Sequence, residues 1–92
     1  MNEKGKRILV IDDEPQILRL LKVSLTVHGY EVYEANNGAE GLSKIIQDKL
    51  DLIILDLGLP DLDGIDVLTK VRESSKVPVV VLTARDMKMI KF

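Results

Sequence analysis

A chain of 92 residues with 13 basic and 15 acidic side chains, a net charge of −2 and 46% hydrophobic content suits one ordered domain with a modest core. It offers no basic tract for a nucleic-acid backbone and no cysteine for disulfides or thiolate metal sites, and its apolar runs are too short to cross a bilayer. The run Ile8-Leu9-Val10-Ile11 behind Lys4, Lys6 and Arg7 stops at Asp12 and Asp13, which is no signal peptide; a cytoplasmic protein without membrane or direct nucleic-acid contact is expected.

Residues 1–6 are polar and expected to fray. Ile8 to Ile11, short and rich in β-branched residues, reads as a buried strand. Pro15 suits the first turn of a helix that Asp12 or Asp13 can cap. Ile17, Leu18, Leu20, Leu21 and Leu25 supply its apolar face, and Gly29 stops it. Tyr30 to Ala35 alternates weakly and reads as a second strand, ended by Asn36-Asn37-Gly38. Ala39, Leu42, Ile45 and Ile46 make the stripe of a second helix. Leu52 to Leu55 is a third strand, ending in Asp56. Gly58, Pro60, Asp61, Asp63 and Gly64 form a loop of turn residues. Ile65, Leu68 and Val71 lead a third helix, and Val79 to Thr83 after Pro78 is a fourth strand. Apolar strands alternating with amphipathic helices give an α/β fold, a doubly wound parallel sheet with right-handed crossovers. Residues 84–92 leave no room for another helix and strand.

Three carboxylates stand at strand ends. Asp12 and Asp13 follow the first strand and Asp56 ends the third. Carboxyl ends of parallel strands share one edge, where ligands bind at the switch point of strand order. If strands one and three are neighbours, the three acids converge and repel unless a cation intervenes. Oxygen ligands without His or Cys favour a hard ion such as Mg²⁺. Singly, each acid reads as a cap or a strand end; together they read as a site, because acids beside apolar strands are costly without a role. Thr83 adds a hydroxyl on the same edge.

The runs Ile11-Asp12-Asp13-Glu14, Asp56-Leu57-Gly58-Leu59-Pro60-Asp61-Leu62-Asp63-Gly64 and Val81-Leu82-Thr83-Ala84-Arg85 resemble the receiver domain of two-component response regulators over about residues 6–86. The middle run is most similar to that of regulators of potassium-transporter operons in the winged-helix subfamily, which implies a role in transcription regulation. The resemblance implies a flavodoxin-like sheet of order 2-1-3-4-5. It makes Asp56 the acceptor of a phosphoryl group from a sensor histidine kinase. Asp13 would ligate Mg²⁺ directly, Asp12 largely through water, and the Gly58 carbonyl would complete the protein ligands beside Asp56. Thr83 would be the switch hydroxyl that bonds the phosphoryl group, and Pro60 and Gly64 would shape the loop. Such a chain is a phosphorylation-controlled signalling module rather than a conventional enzyme.

Against the family, the chain lacks a recognisable fourth helix, fifth strand and fifth helix. A single truncated receiver domain over residues 1–92 is expected, with residues 87–92 a non-family tail. The missing fifth strand carries the family's active-site lysine, and Lys88 and Lys91 are the candidates to replace it. A parallel fifth strand needs a crossover of a dozen or more residues; an antiparallel edge strand would carry Lys91 away from the acidic edge. With nothing to cover Val79 to Leu82, an exposed edge is expected, and with it a homodimer through fourth strands or exchanged tails. His28 reads as a helix cap rather than a phosphodonor. Met87 and Met89 read as packing, and Arg85 as solvated. An inactive truncated or engineered receiver fragment serving as an oligomeric structural unit is the alternative. A phosphohydrolase fits less well, since Gly58 stands where a second aspartate belongs. A nucleotide-binding domain lacks its glycine-rich cradle.

Overall fold

Four strands of five residues each and three helices alternate along the chain in the computed structural model, which describes residues 5–47, 49–83 and 88–91. They are β1 (Arg7–Ile11), α1 (Pro15–Val27), β2 (Glu31–Ala35), α2 (Gly38–Gln47), β3 (Leu52–Asp56), α3 (Gly64–Ser74) and β4 (Val79–Thr83), followed by β5 (Lys88–Lys91). The sheet order is β2-β1-β3-β4-β5. The first four strands are parallel, as the alternation of apolar strands and amphipathic helices requires. No helix among the described residues is long and apolar enough to cross a membrane.

The pleat divides the core in two. Leu9, Ile11, Ile53, Leu55, Val79 and Val81 turn to the side covered by α2 and α3, where Val67 and Val71 complete the packing. Ile8, Val10 and Ile54 turn to the opposite side, under Leu18, Leu21 and Leu25 of α1. The β1–β3 register pairs Ile8 with Leu52 and Ile11 with Leu55.

The apolar helix faces differ in detail from their sequence stripes. Leu20 is 59% exposed, so α1 docks on Leu18, Leu21 and Leu25 without a fully buried residue. Ala39 and Ile46 face solvent. Helix α2 instead approaches the sheet through Gly41, where a Cβ would stand 2.6 Å from Ile11 Cδ1. In α3, Val67 takes the core position expected of Ile65, which is half exposed.

The helix ends also sharpen the expectations. Glu14, not Asp12 or Asp13, is the N-cap of α1, and no side chain caps the helix there. Gly29 (φ 94) stops α1 by donating to the Thr26 carbonyl at 2.9 Å, while Tyr30 N–H reaches Leu25 at 3.2 Å. This pair of bonds needs the left-handed conformation that glycine adopts without strain. His28 caps the same end, with its Nδ1 2.9 Å from the Ser24 carbonyl. The start expected to fray is tied down at Gly5, whose N–H donates to Gly29, and at Lys6, whose carbonyl accepts from Glu31. Residues 1–4 lie outside the described residues, as do Arg85, Met87 and Phe92.

The tail corrects one expectation outright. Strand β4 has no bare outer edge, because β5 pairs with it antiparallel: Val80 with Lys91, Val81 with Ile90, Leu82 with Met89 and Thr83 with Lys88. A hairpin-type return needs no long crossover, so a short segment suffices where a parallel strand could not form. The argument for a dimer through β4 edges therefore loses its premise. The reversal also sets the lysines apart: Lys88 lies at the Thr83 end of β5 and Lys91 at the Val80 end.

Close packing at the start of α3 fixes the loop after β3. A Cβ on Gly64 would stand 2.6 Å from Leu57 Cα and 2.7 Å from Leu57 Cδ2. Gly64→Ala is expected to cost about 1–3 kcal/mol through overpacking. A urea midpoint equal to that of the native chain would show that the loop yields freely.

Candidate functional site

Register delivers the acids to one place. Ile11 and Leu55 are partners across β1 and β3, so Asp12, one step beyond Ile11, comes opposite Asp56, the last residue of β3. Asp12 N–H donates to the Ala35 carbonyl at 3.0 Å, which ties the residue to the end of β2. Carboxylate oxygens of Asp12, Asp13 and Asp56 lie within 4.8 Å of one another. Asp12 is 3% exposed and Asp56 7% exposed, whereas Asp13 faces solvent.

Backbone donors orient the two buried carboxylates. Asp12 Oδ1 accepts from Glu14 N–H at 2.8 Å, in the turn that leads into α1. Asp56 Oδ1 accepts from Gly58 N–H at 3.1 Å. These bonds oppose the dominant effect, which is burial. Removal from water pushes the Asp12 carboxyl up from 3.8 to about 6, and the charges of Asp56, Asp13 and Glu14 add to the rise. Burial likewise raises Asp56, with Asp13 adding to it.

Two buried acids held beside a third are costly as anions and well arranged as ligands. The donor set is all oxygen, the chain has no cysteine, and His28 is engaged at the end of α1. Such a set fits a hard divalent cation such as Mg²⁺. Gly58 stands beside the cluster: a Cβ there would lie 3.8 and 3.9 Å from the two Asp56 oxygens. Thr83 follows Leu82, the register partner of Asp56, so its backbone reaches the same edge. Among the expected site residues, the structure therefore brings together Asp12, Asp13, Asp56 and Gly58, and places Thr83 at the neighbouring strand end.

The sequence reading missed the contacts that fasten the site's surroundings. Asn37 is the cap of α2: its Oδ1 accepts from Glu40 N–H at 2.8 Å, and Glu40 Oε1 accepts from Asn36 N–H at 2.9 Å. An Asn three residues before a Glu is a readable signal of such a cap, although here Glu40 reaches back one residue further, to Asn36. Asp61 accepts from Gly38 and Ala39, at the start of the same helix. No local pattern announces a partner so far along the chain.

Comparison with known proteins agrees with this geometry. The family model for the response regulator receiver domain matches residues 8–91. The transcriptional regulatory protein KdpE of Mycobacterium tuberculosis is 55% identical over 78 residues, covering 85% of this chain and 34% of the relative. The transcriptional regulatory protein SrrA of Staphylococcus aureus is 45% identical over 81 residues, covering 88% and 34%. The chain thus spans about a third of the length of these curated relatives. Among solved structures, the response regulator TrrA of Thermotoga maritima in complex with Mg²⁺-BeF superposes with a TM-score of 0.83 at 45% identity, covering 86% of this chain and 70% of that one. The complex of histidine kinase ThkA with TrrA gives a TM-score of 0.81 at 44% identity, covering 86% and 69%.

Proposed function

The chain belongs to the response regulator receiver domain family, and on that premise we propose that it accepts a phosphoryl group on Asp56 from a phosphohistidine of a sensor kinase. One observation carries this reading: two buried carboxylates and a third exposed one converge at the carboxyl edge between β1 and β3. In the transfer, an Asp56 oxygen bonds to phosphorus as the P–N bond of the donor breaks. The electron pair of that bond stays with the imidazole, which takes up a proton. Gly58 N–H holds Asp56 Oδ1 and so orients the attacking carboxylate.

Asp12, Asp13, Asp56 and the Gly58 carbonyl would hold Mg²⁺. Bound there, the ion supplies positive charge that offsets the negative charge of the phosphoryl oxygens. Thr83 is assigned the hydroxyl that bonds the phosphoryl group afterwards, on its position at the end of β4. Of the two tail lysines, Lys88 is the register partner of Thr83 and so lies at the site end of β5, with Lys91 at the far end. The relatives named as transcriptional regulators and the TrrA complex with a kinase support a place in regulated transcription, with the kinase as partner.

Titration calorimetry with Mg²⁺ tests the metal assignment. Asp13→Asn removes a charged ligand from the cluster and is expected to weaken Mg²⁺ binding by at least about tenfold, since affinity for hard cations follows ligand charge. Equal affinity in the native and substituted chains would sink it.

A further inference from the structure

The phosphotransfer reading leaves Asp61 without a part, yet its side chain reaches from the β3–α3 loop to the start of α2. Its Oδ1 accepts from Gly38 N–H at 2.8 Å and its Oδ2 from Ala39 N–H at 3.0 Å, across 23 and 22 residues of sequence. These are the first two donors of α2, which have no partner within the helix. The next two are met locally, Glu40 by the Asn37 side chain and Gly41 by the Asn37 carbonyl. Helix α2 therefore has a cap of its own. The bidentate clasp holds the loop to the helix more than it starts the helix.

The rest of the loop shows what is being held. Leu62 lies against Gly38, where a Cβ would come 2.8 Å from Leu62 Cδ1. Asp63 caps α3 by accepting from Ile65 N–H at 2.9 Å, and Gly64 packs on Leu57. The segment between β3 and α3 is thus fastened at Leu57 and again at Asp61 to Asp63. Gly58 sits between these fastenings, with its N–H on Asp56. The two donated bonds hold the Asp61 carboxyl below the usual range, so the clasp is ionised at neutral pH.

Building on the phosphoacceptor reading, we propose that Asp61 is a positioning residue: by clasping the β3–α3 loop to the start of α2, it fixes Gly58 beside Asp56 and sets the Mg²⁺ affinity of the acidic cluster without touching the ion. Released from α2, the loop must be ordered anew each time the cation binds, and that ordering is subtracted from affinity.

Calorimetric titration with Mg²⁺ of the native chain, Asp13→Asn, Asp61→Ala, Asp61→Asn and Val71→Ala tests this, with a melting curve for each. Val71 is buried in α3, so its truncation loosens the fold without breaking the clasp. Asp61→Ala is expected to bind Mg²⁺ about five- to twentyfold more weakly. Asp61→Asn, which keeps one accepting oxygen, is expected to fall between it and the native chain. Val71→Ala is expected to melt earlier yet bind as the native chain does. The proposal is overturned if Asp61→Ala binds within twofold of native while Asp13→Asn does not, or if Val71→Ala loses as much affinity as Asp61→Ala. If native and Asp13→Asn bind alike, the phosphoacceptor reading falls with it.

Discussion

In metal-free buffer, Asp12→Asn is expected to melt well above the native chain at pH 7 and level with it near pH 3. The folded Asp12 carboxyl titrates at about 6, against 3.8 for its ordinary value. Between those values the folded chain binds more protons than the unfolded one, so stability falls as pH rises through the window. The rise amounts to about 3 kcal/mol at pH 7, taking 1.36 kcal/mol per unit. For a domain of this size each kcal/mol moves the melting point by about 4–8 °C, so the gap at pH 7 should exceed about 10 °C. Asn keeps the shape and can still accept from Glu14 N–H, but carries no charge to bury. Near pH 3, below both values, the carboxyl is largely protonated in both states of the native chain and the gap closes. Added Mg²⁺ stabilises the native chain by mass action and narrows the gap from the other side. Equal melting temperatures at pH 7 without metal would show that the buried acid is not a source of instability.

The second large effect concerns the acceptor itself. Incubated with acetyl phosphate and Mg²⁺, the native chain is expected to gain the mass of one phosphoryl group, about 80 Da. Asp56→Asn removes the nucleophile and is expected to cut labelling by roughly a thousandfold or more. Thr83→Ala is expected to retain the label, because its hydroxyl is assigned to bonding the phosphoryl group after transfer. Undiminished labelling of Asp56→Asn would move the acceptor to another carboxylate, with Asp13 the nearest exposed one.

Strands β1 and β3 were legible because each is a short apolar block buried on both faces, whereas β2, with only Ala35 buried, shows no more than weak alternation. Residues 52–55 and 79–83 could not be amphipathic helices at that length. The acidic edge followed from topology, since parallel order alone sends Asp12, Asp13 and Asp56 to one side. Other features depend on contacts that no local window contains. The core position of Val67 was masked by the equally apolar Ile65, and only the docking angle of α3 separates them. Glycines 38 and 64 read as turn residues in the sequence and Gly41 carried no signal, yet each marks a close approach whose other half lies elsewhere in the chain. The segment Lys88–Lys91 carries little apolar pattern of its own. It becomes a strand because β4 offers it an unpaired edge.

The two-faced core and the one-residue step from Ile11 to Asp12 bear on how the chain avoids misfolding. Parallel strands can slip along one another, and a slip by one residue turns every side chain of β1 to the other face. Leu9 and Ile11 would then leave the side packed by α2 and α3, and Val10 would take a place there with Asp12 following it. A carboxylate would be driven towards an apolar layer with no backbone donor arranged to receive it. A one-residue slip of β3 would likewise turn Asp56 towards the same layer. The acids that end β1 and β3 would thus oppose misregistration while the chain folds, whatever binds at their edge afterwards.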